Sequence, residues 1–282
     1  MISILIRCKN EEAYLGEVLS MLFEQLIDSD FEVVVLDSGS TDKTLDIARK
    51  FNVKIYEMPP EVFTFGYSLN KGISLTSGEI VCCLSAHCIP LNNNWLKELT
   101  GPIVLSKAHT TIGRQIPMKG MNPFEELAVT SYFPPIQRDG KSPHLSNANC
   151  AFLKSIWQEI KFDEKILGWE DYLWYLQIKS RYKVLYCPRA AVYHSHPFSL
   201  RYIVGRSYGD GKAVRYIKEK AGIDLTGGKA DSKLNMIKHI YADMKNNAKF
   251  FLQEGYFRHL LLLPIIKLLL YVAYQKGLRE NI

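Results

Sequence analysis

The 282-residue sequence predicts an α/β domain with a mostly parallel sheet and helices on both faces, followed by a helical C-terminal extension. Three observations predict it. Short apolar runs at Ile2 to Ile6, Phe31 to Leu36, Val53 to Tyr56 and Ile80 to Leu84 alternate with helical stretches, as in a right-handed parallel sheet. The runs are continuous rather than alternating, as strands buried on both faces are. From about Phe198 the pattern becomes helical only. The expected division is residues 1–197 as the α/β domain and 198–282 as a basic helical extension.

Each element has its own reason. After the first strand, Asn10-Glu11-Glu12 opens a helix with Leu15, Val18, Leu19, Leu22 and Leu26 at helical spacing. The second strand ends in Asp37-Ser38-Gly39-Ser40-Thr41-Asp42, where Gly39 supplies a turn and Ser40 or Thr41 can cap the next helix. A third strand and a helix through Tyr67, Leu69, Ile73 and Leu75 lead to the central strand, bounded by Ser77-Gly78. Beyond Pro90 the expectations are a helix over Asn92 to Leu105, a strand over His109 to Gln115 and an irregular pocket-shaping loop from Met118 to Pro143. A short strand and a helix from Ser155 to Ile160 follow. Tyr172 to Tyr182 reads as a largely buried helix, and Val184 to Cys187 and Ala191 to Tyr193 as two short strands. In the extension, helices are expected at Tyr202 to Ile217, Leu234 to Phe251 and Leu260 to Tyr274. The last is apolar, and at fifteen residues, roughly 22 Å, too short to cross a bilayer.

Composition narrows the setting. Six cysteines show no metal-ligand spacing and read as buried thiols in a reducing compartment, and the N-terminus carries no signal-peptide pattern. Residues 197–282 hold 15 Lys and Arg against 7 Asp and Glu, whereas the first 196 residues hold 20 against 22. The whole basic excess therefore sits in the last third, which points to an anionic partner such as a membrane surface or nucleic acid.

Chemistry is expected where three strands end. Arg7-Cys8-Lys9-Asn10, Asp37-Ser38 and Ser85-Ala86-His87 each lie at the carboxyl end of a buried strand, where open α/β sheets bind ligands. Helix N-termini with free N–H groups suit a phosphate there, and Arg7 and Lys9 add positive charge. Glu170-Asp171 opens a helix behind Gly168-Trp169. Such carboxylates complement a helix dipole or serve as a general base, with Trp169 as a platform for a sugar ring.

The ordered series IRCKNEE, VVLDSGSTDKT, GEIVCCLSAHCIP, SNAN and GWEDYLW resembles the inverting family 2 glycosyltransferases of GT-A fold, and within them the rhamnosyltransferase-like branch. The resemblance covers about Ile2 to His196. DSGSTDKT is fairly specific, and its combination with the later Glu-Asp pair much more so. It implies that Arg7, Cys8, Lys9, Asn10, Glu12, Asp37 and Ser38 line the nucleotide pocket, and that Ser85, Ala86 and His87 face the diphosphate. Asn147 and Asn149 would meet the sugars, and Asp171 would be the base, with Glu170 beside it. The implied substrates are a UDP- or dTDP-linked sugar and a hydroxyl of a glycan or lipid-linked acceptor.

Two departures from the family pattern bear on this. Ser85 and His87 stand where the family has the DxD carboxylates that hold Mg²⁺ or Mn²⁺, so two arrangements stay open. Either His87 shares a divalent metal with His194 or His196, Mn²⁺ rather than Mg²⁺, or Arg7 and Lys9 offset the diphosphate charge. Ser38 replaces a second Asp, which leaves UDP against dTDP open. The basic helices and Leu260 to Tyr274 suggest peripheral docking on the cytoplasmic face of the membrane rather than contact with nucleic acid. Two rivals carry different signatures: a catalytically silent scaffold of this fold would bind but not transfer sugar, and an RNA-binding protein would bind RNA in a salt-dependent way.

Overall fold

The computed structural model describes residues 1–118, 123–136, 143–194, 199–225 and 244–280. The chain divides into two compact units, one comprising Met1–Met118, Val129–Lys165 and Glu170–Ser195, the other Lys119–Ala128, Ile166–Trp169 and His196–Ile282.

The first unit is built on a sheet of eight strands among the described residues: β1 (Ile2–Cys8), β2 (Phe31–Asp37), β3 (Lys54–Glu57), β4 (Ile80–Ser85), β5 (Ile89–Pro90), β6 (Thr110–Pro117), β7 (Asn149–Leu153) and β8 (Val184–His194). Their order is β3-β2-β1-β4-β7-β6-β8-β5. β1 runs parallel to β2 and β4, β2 to β3, and β6 to β8. β7 is antiparallel to both β4 and β6, and β5 to β8. Ile4, Ile6, Val33, Val35, Cys82 and Leu84 project to one face, where α1 (Leu15–Phe23) and α4 (Trp95–Val104) bury Leu19, Leu22, Trp95 and Leu99. Leu5, Val34, Leu36, Val81 and Cys83 project to the other, against α3 (Phe65–Ser74) and α7 (Glu170–Ile178), which contribute Leu69, Ile73 and Trp174. Both pleat faces need apolar residues, hence the unbroken hydrophobic runs.

Several elements differ from the sequence expectation. α1 begins at Leu15 because Asn10 to Glu12 are spent in a loop, with Asn10 in the left-handed region at φ 56°. The helix after β2, α2, spans only Thr44–Ala48, and Ser40 does not cap it. Its hydroxyl donates to Asp37, and the Thr44 N–H donates to Asp42 instead. Gly39 does supply a left-handed turn, at φ 86°. The stretch expected to be irregular contains α5 (Pro123–Tyr132), whose first residue, proline, suits a helix start. α6 spans Lys154–Glu159. The two short strands expected after residue 184 are one strand, β8, with a register shift where Gly113 and Arg114 meet Cys187 and Ala191.

In the second unit, α8 (Leu200–Ala221) starts at Ser199, whose hydroxyl accepts from the Tyr202 N–H at 3.0 Å, and stops at Gly222 in the left-handed region. Of the helix expected at Leu234 to Phe251, residues 234–243 lie outside the described residues; α9 covers 244–253. α10 runs over Phe257–Arg279, well beyond Leu260 to Tyr274, which corrects the length argument. Twenty-three residues give about 34 Å, and α10 is long and apolar enough to cross a membrane by length and composition. It packs closely on α8. A Cβ on Gly211 would stand 2.2 Å from the Tyr274 carbonyl oxygen, and one on Gly277 2.1 Å from that of Tyr208. Leu263, Ile266 and Ala273 are buried, while Leu261, Leu262, Ile265, Leu268 and Val272 are exposed.

Candidate active site

The loops after β1 and β2 are laced together at the carboxyl edge of the sheet. The Asn10 side-chain oxygen accepts from the Thr41 N–H at 2.8 Å, the Asn10 N–H donates to the Ser40 hydroxyl at 2.8 Å, and Glu12 Oε2 accepts from the Lys43 N–H at 3.0 Å. Beneath them Asp37 is buried, its Oδ2 accepting from the N–H groups of Gly39 and Ser40, both at 2.9 Å. Asp37, Ser38 and Cys8 thus lie under the loop rather than on its surface. Burial and the Asp37 carboxylate push the Cys8 thiol far up, so it stays a neutral core thiol. Lys9, Asn10 and Glu12 are exposed.

Arg7 takes another direction. Its position on β1 is paired with Ser85 on β4, and its guanidinium donates to the Ser68 hydroxyl at 2.8 Å and the Phe65 carbonyl at 3.2 Å on α3. Strand alternation explains this: Arg7 shares the pleat face of Leu5, so it points to the α3 side while Cys8 enters the opposite core.

At the end of β4, Ala86 is a core residue and His87 the partly exposed one. His87 Nδ1 lies 2.8 Å from Glu11 Oε1, with the two side chains 17% and 20% exposed. The His87 ring stacks on His194 from the end of β8, with centroids 5.2 Å apart and planes 16° from parallel. His194 Nδ1 is in turn 2.6 Å from Gln115 Oε1, and Gln115 Nε2 donates to the Ser146 hydroxyl at 3.0 Å.

These residues do not fit a shared divalent metal. A metal takes an imidazole lone pair in the ring plane, and two face-to-face rings direct those lone pairs along separate planes. One nitrogen of each ring is already spent on a neighbouring side chain. Among the described residues no group of three or more His, Cys, Asp or Glu side chains could hold a metal ion. His87 and His194 stack on one another, and His196 lies outside the described residues.

The carboxylate pair sits at the N-terminus of α7. Glu170 is buried, and its Oε1 accepts from Asn147 Nδ2 at 3.4 Å. Asp171 is half-buried; its Oδ1 accepts from the Tyr172 N–H at 2.7 Å and its Oδ2 from the Asn147 N–H at 3.3 Å. Burial first, and then the Glu170 charge, push the Asp171 carboxyl up to about 7, against the lowering effect of those N–H groups and of Arg7. A carboxyl poised near neutrality is suited to taking up a proton. Just before it, Gly168 and the non-glycine Trp169 both adopt positive φ, at 93° and 61°. Trp169 Nε1 donates to Asp210 on α8 at 2.7 Å, within the second unit.

Two residues expected to meet sugars act within the protein. Asn149 is fully buried: its Oδ1 accepts from Trp95 Nε1 at 3.0 Å, and its Nδ2 donates to the carbonyls of Arg114 and Ala190 at 3.0 and 2.9 Å. It is a framework residue tying β7 to β6, β8 and α4. Asn147 is buried too and braces Glu170 and Asp171. Glu11, Gln115 and Ser146 were not singled out by the sequence. Glu11 lay beside Glu12 in an acidic turn, and its partner His87 is 76 positions away, so no local pattern could couple them.

Comparison with known proteins agrees with this architecture. A family model described as glycosyl transferase family 2 matches residues 3–160, ending short of the Glu170-Asp171 pair. The O-antigen chain rhamnosyltransferase RfbN of Salmonella typhimurium is 27% identical over 218 residues, 71% of this chain and 68% of RfbN. The mannosyltransferase PcManGT from Pyrobaculum calidifontis, solved with GDP-Man and Mn²⁺, superposes with a TM-score of 0.62 at 17% identity, covering 100% of this chain and 88% of that one. Staphylococcus aureus TarS 1-349 superposes with a TM-score of 0.55 at 19% identity, covering 98% of this chain and 88% of that one.

Proposed function

The chain belongs to glycosyl transferase family 2, and from that premise we propose that it moves a sugar, with inversion, from a nucleoside-diphosphate sugar to a hydroxyl of a glycan or lipid-linked glycan, with Asp171 as the general base. The observation that carries the assignment of the base is the Asp171 carboxyl, pushed up to about 7 beside Arg7 and the Asn147 N–H at the carboxyl edge of the sheet. In the transfer step the acceptor oxygen forms its bond to the anomeric carbon as Asp171 takes its proton. The bond from that carbon to the phosphate oxygen breaks, and the nucleoside diphosphate leaves from the opposite face with the electron pair. Arg7 and Lys9 bring positive charge to that departing group. Asn147 and Glu170 position the base.

RfbN is named as an O-antigen chain rhamnosyltransferase, which supports a deoxyhexosyl or hexosyl donor and a polysaccharide acceptor. UDP- and dTDP-linked sugars are the donors to compare first. A second reading concerns place. The exposed apolar side of α10 lies among Arg258, Lys276 and Arg279 in the part of the chain that holds all the basic excess. Because the other side of α10 is packed on α8 through Gly211 and Gly277, one face is left for an anionic lipid surface, where lipid-linked acceptors lie. All six cysteines are free thiols, in keeping with the cytoplasmic side of that membrane.

The test is a thermal-shift and transfer screen with UDP-, dTDP- and GDP-sugars on the wild type and Asp171→Asn. The variant should keep donor binding and lose transfer by at least about 100-fold. Equal turnover by both proteins would remove Asp171 from the role.

A further inference from the structure

We propose that α10 lies flat in one leaflet of an anionic membrane, its outer face inserted and its basic ends on acidic headgroups, rather than crossing the bilayer. This deepens the membrane reading of α10 given above and rests on it. Leu261, Ile265, Leu268 and Val272 follow one another at intervals of four, three and four residues, which aligns them in one stripe along the helix. All four are exposed, Leu261 at 82%, and exposed Leu262 and Leu269 widen the stripe on one side. Arg258 lies one turn before Leu261 and Lys276 one turn after Val272, on the same side of the helix. Eighteen residues separate the two basic groups, about 27 Å of helix. α10 contains no Asp or Glu, and Lys276 stays 69% exposed while reaching Glu280 at 3.8 Å. An apolar strip ended by cations and free of acids complements an acidic lipid surface.

The opposite side of α10 is fastened to α8, and the register of that contact decides how the helix enters lipid. The Ser207 hydroxyl donates to the Leu270 carbonyl at 2.8 Å, Gly211 meets Tyr274 and Gly277, and the Arg215 guanidinium donates to the Arg279 carbonyl at 3.0 Å. These partners advance together along both helices, so α8 and α10 run parallel. At Gly211 and Gly277 the two backbones approach too closely for any side chain to fit between them. A spanning α10 would therefore carry this length of α8 into the hydrocarbon with it. That length holds Asp210, Lys212 and Arg215, and Lys218, Glu219 and Lys220 follow within two turns. Charged groups are among the costliest to place in a bilayer core. α10 alone has the length and composition of a span, but the helix fastened to it does not. Lying in the plane resolves the conflict: the stripe enters the acyl boundary, and α8 stays on the aqueous side.

The experiment uses the full chain with vesicles of phosphatidylglycerol mixed with phosphatidylcholine, and of phosphatidylcholine alone. Leu261, Leu268 and Val272 are changed to Cys one at a time, labelled with a polarity-sensitive fluorophore, and quenched by lipids brominated at graded depths. The unchanged chain supplies the background from its own thiols. All three labels should report one shallow depth, about 5–10 Å into the headgroup boundary, although they are spread over about 16 Å of helix. A basic residue near an acidic surface strengthens binding roughly fivefold. Arg258→Gln with Lys276→Gln should therefore weaken binding to the acidic vesicles at least about tenfold, and to phosphatidylcholine alone less than about threefold. Both side chains are exposed, so the pair of changes leaves the packing on α8 in place. A Leu268 label near the bilayer centre, with the other two shallower, shows a crossing helix; it overturns the proposal and keeps the membrane reading. Acidic-vesicle binding unmoved by the loss of both basic groups overturns it as well. A wild type that stays off acidic vesicles, or labels shielded from lipid in a dimer of the chain, overturns the membrane reading, and the proposal with it.

Discussion

Replacing Glu170 by Gln tests the electrostatics of the proposed base, Asp171, most directly. Glu170 is 6% exposed and its charge is the second cause, after burial, of the raised Asp171 carboxyl. Gln keeps the oxygen that accepts from Asn147 Nδ2, so the brace on α7 is preserved while one negative charge is removed. At an effective dielectric near 20, unit charges several ångströms apart repel by about 2–4 kcal/mol. Because burial is the larger cause and remains, we assign the charge a share of about one pH unit, or ~1.4 kcal/mol. The working form of the proposed base is the carboxylate, so the rate should rise with pH through its midpoint. Wild-type kcat/KM should climb through about 7 and level off above it. In Glu170→Gln the midpoint should fall by about one unit, which makes the variant about fivefold faster than wild type at pH 6 and nearly equal at pH 8.5. The assay is the pH profile of initial transfer rates with the best donor from the screen, with Asp171→Asn as the baseline. A variant whose midpoint does not move, or an Asp171→Asn protein within a few-fold of wild type, would refute the reasoning.

Other outcomes follow from the same geometry. Arg7→Gln removes a charge that lowers the Asp171 carboxyl, so the pH midpoint should rise, read from the same profiles. The raised value also means the folded chain holds this proton more tightly than the unfolded one. The contribution of this group to stability is therefore full below about 4 and is lost as pH rises to about 7, and melting at pH 6 and pH 8 should show it, with a smaller difference in Glu170→Gln. Asn149→Ala leaves the Trp95 N–H and two buried carbonyls without partners, at about 1–3 kcal/mol each, and urea unfolding should show a loss of several kcal/mol with little change in donor affinity of the folded fraction. Changing Leu261, Ile265 and Leu268 together to Ser should abolish co-sedimentation with anionic vesicles while leaving turnover on a soluble acceptor; retained vesicle binding would point to another surface.

By itself the sequence determined the sheet and its ligand-binding edge. Continuous apolar runs such as Phe31 to Leu36 and Ile80 to Leu84, short and bounded by turn residues, read as strands covered on both faces, and the polar residues that end them then fall at one edge of a parallel sheet. The carboxylate pair at a helix start was equally legible, because its signal is local. What only the tertiary structure decided concerns direction and distance. Pleat alternation turned Arg7 toward α3 and Cys8 into the core, and Asn149, polar and near the motif, proved to be a fully buried tie between strands. α10 was longer than its apolar run because Tyr256 to His259 and Gln275 to Arg279 continue the helix, or border it, with polar groups that hydropathy alone leaves out. The Glu11–His87–His194–Gln115–Ser146 line joins residues from the loop after β1, the turn after β4, β8, β6 and the approach to β7, separated by up to 107 positions between neighbours. Such a line is made by closure of the sheet, and a periodicity of two or 3.6 residues carries no information about it.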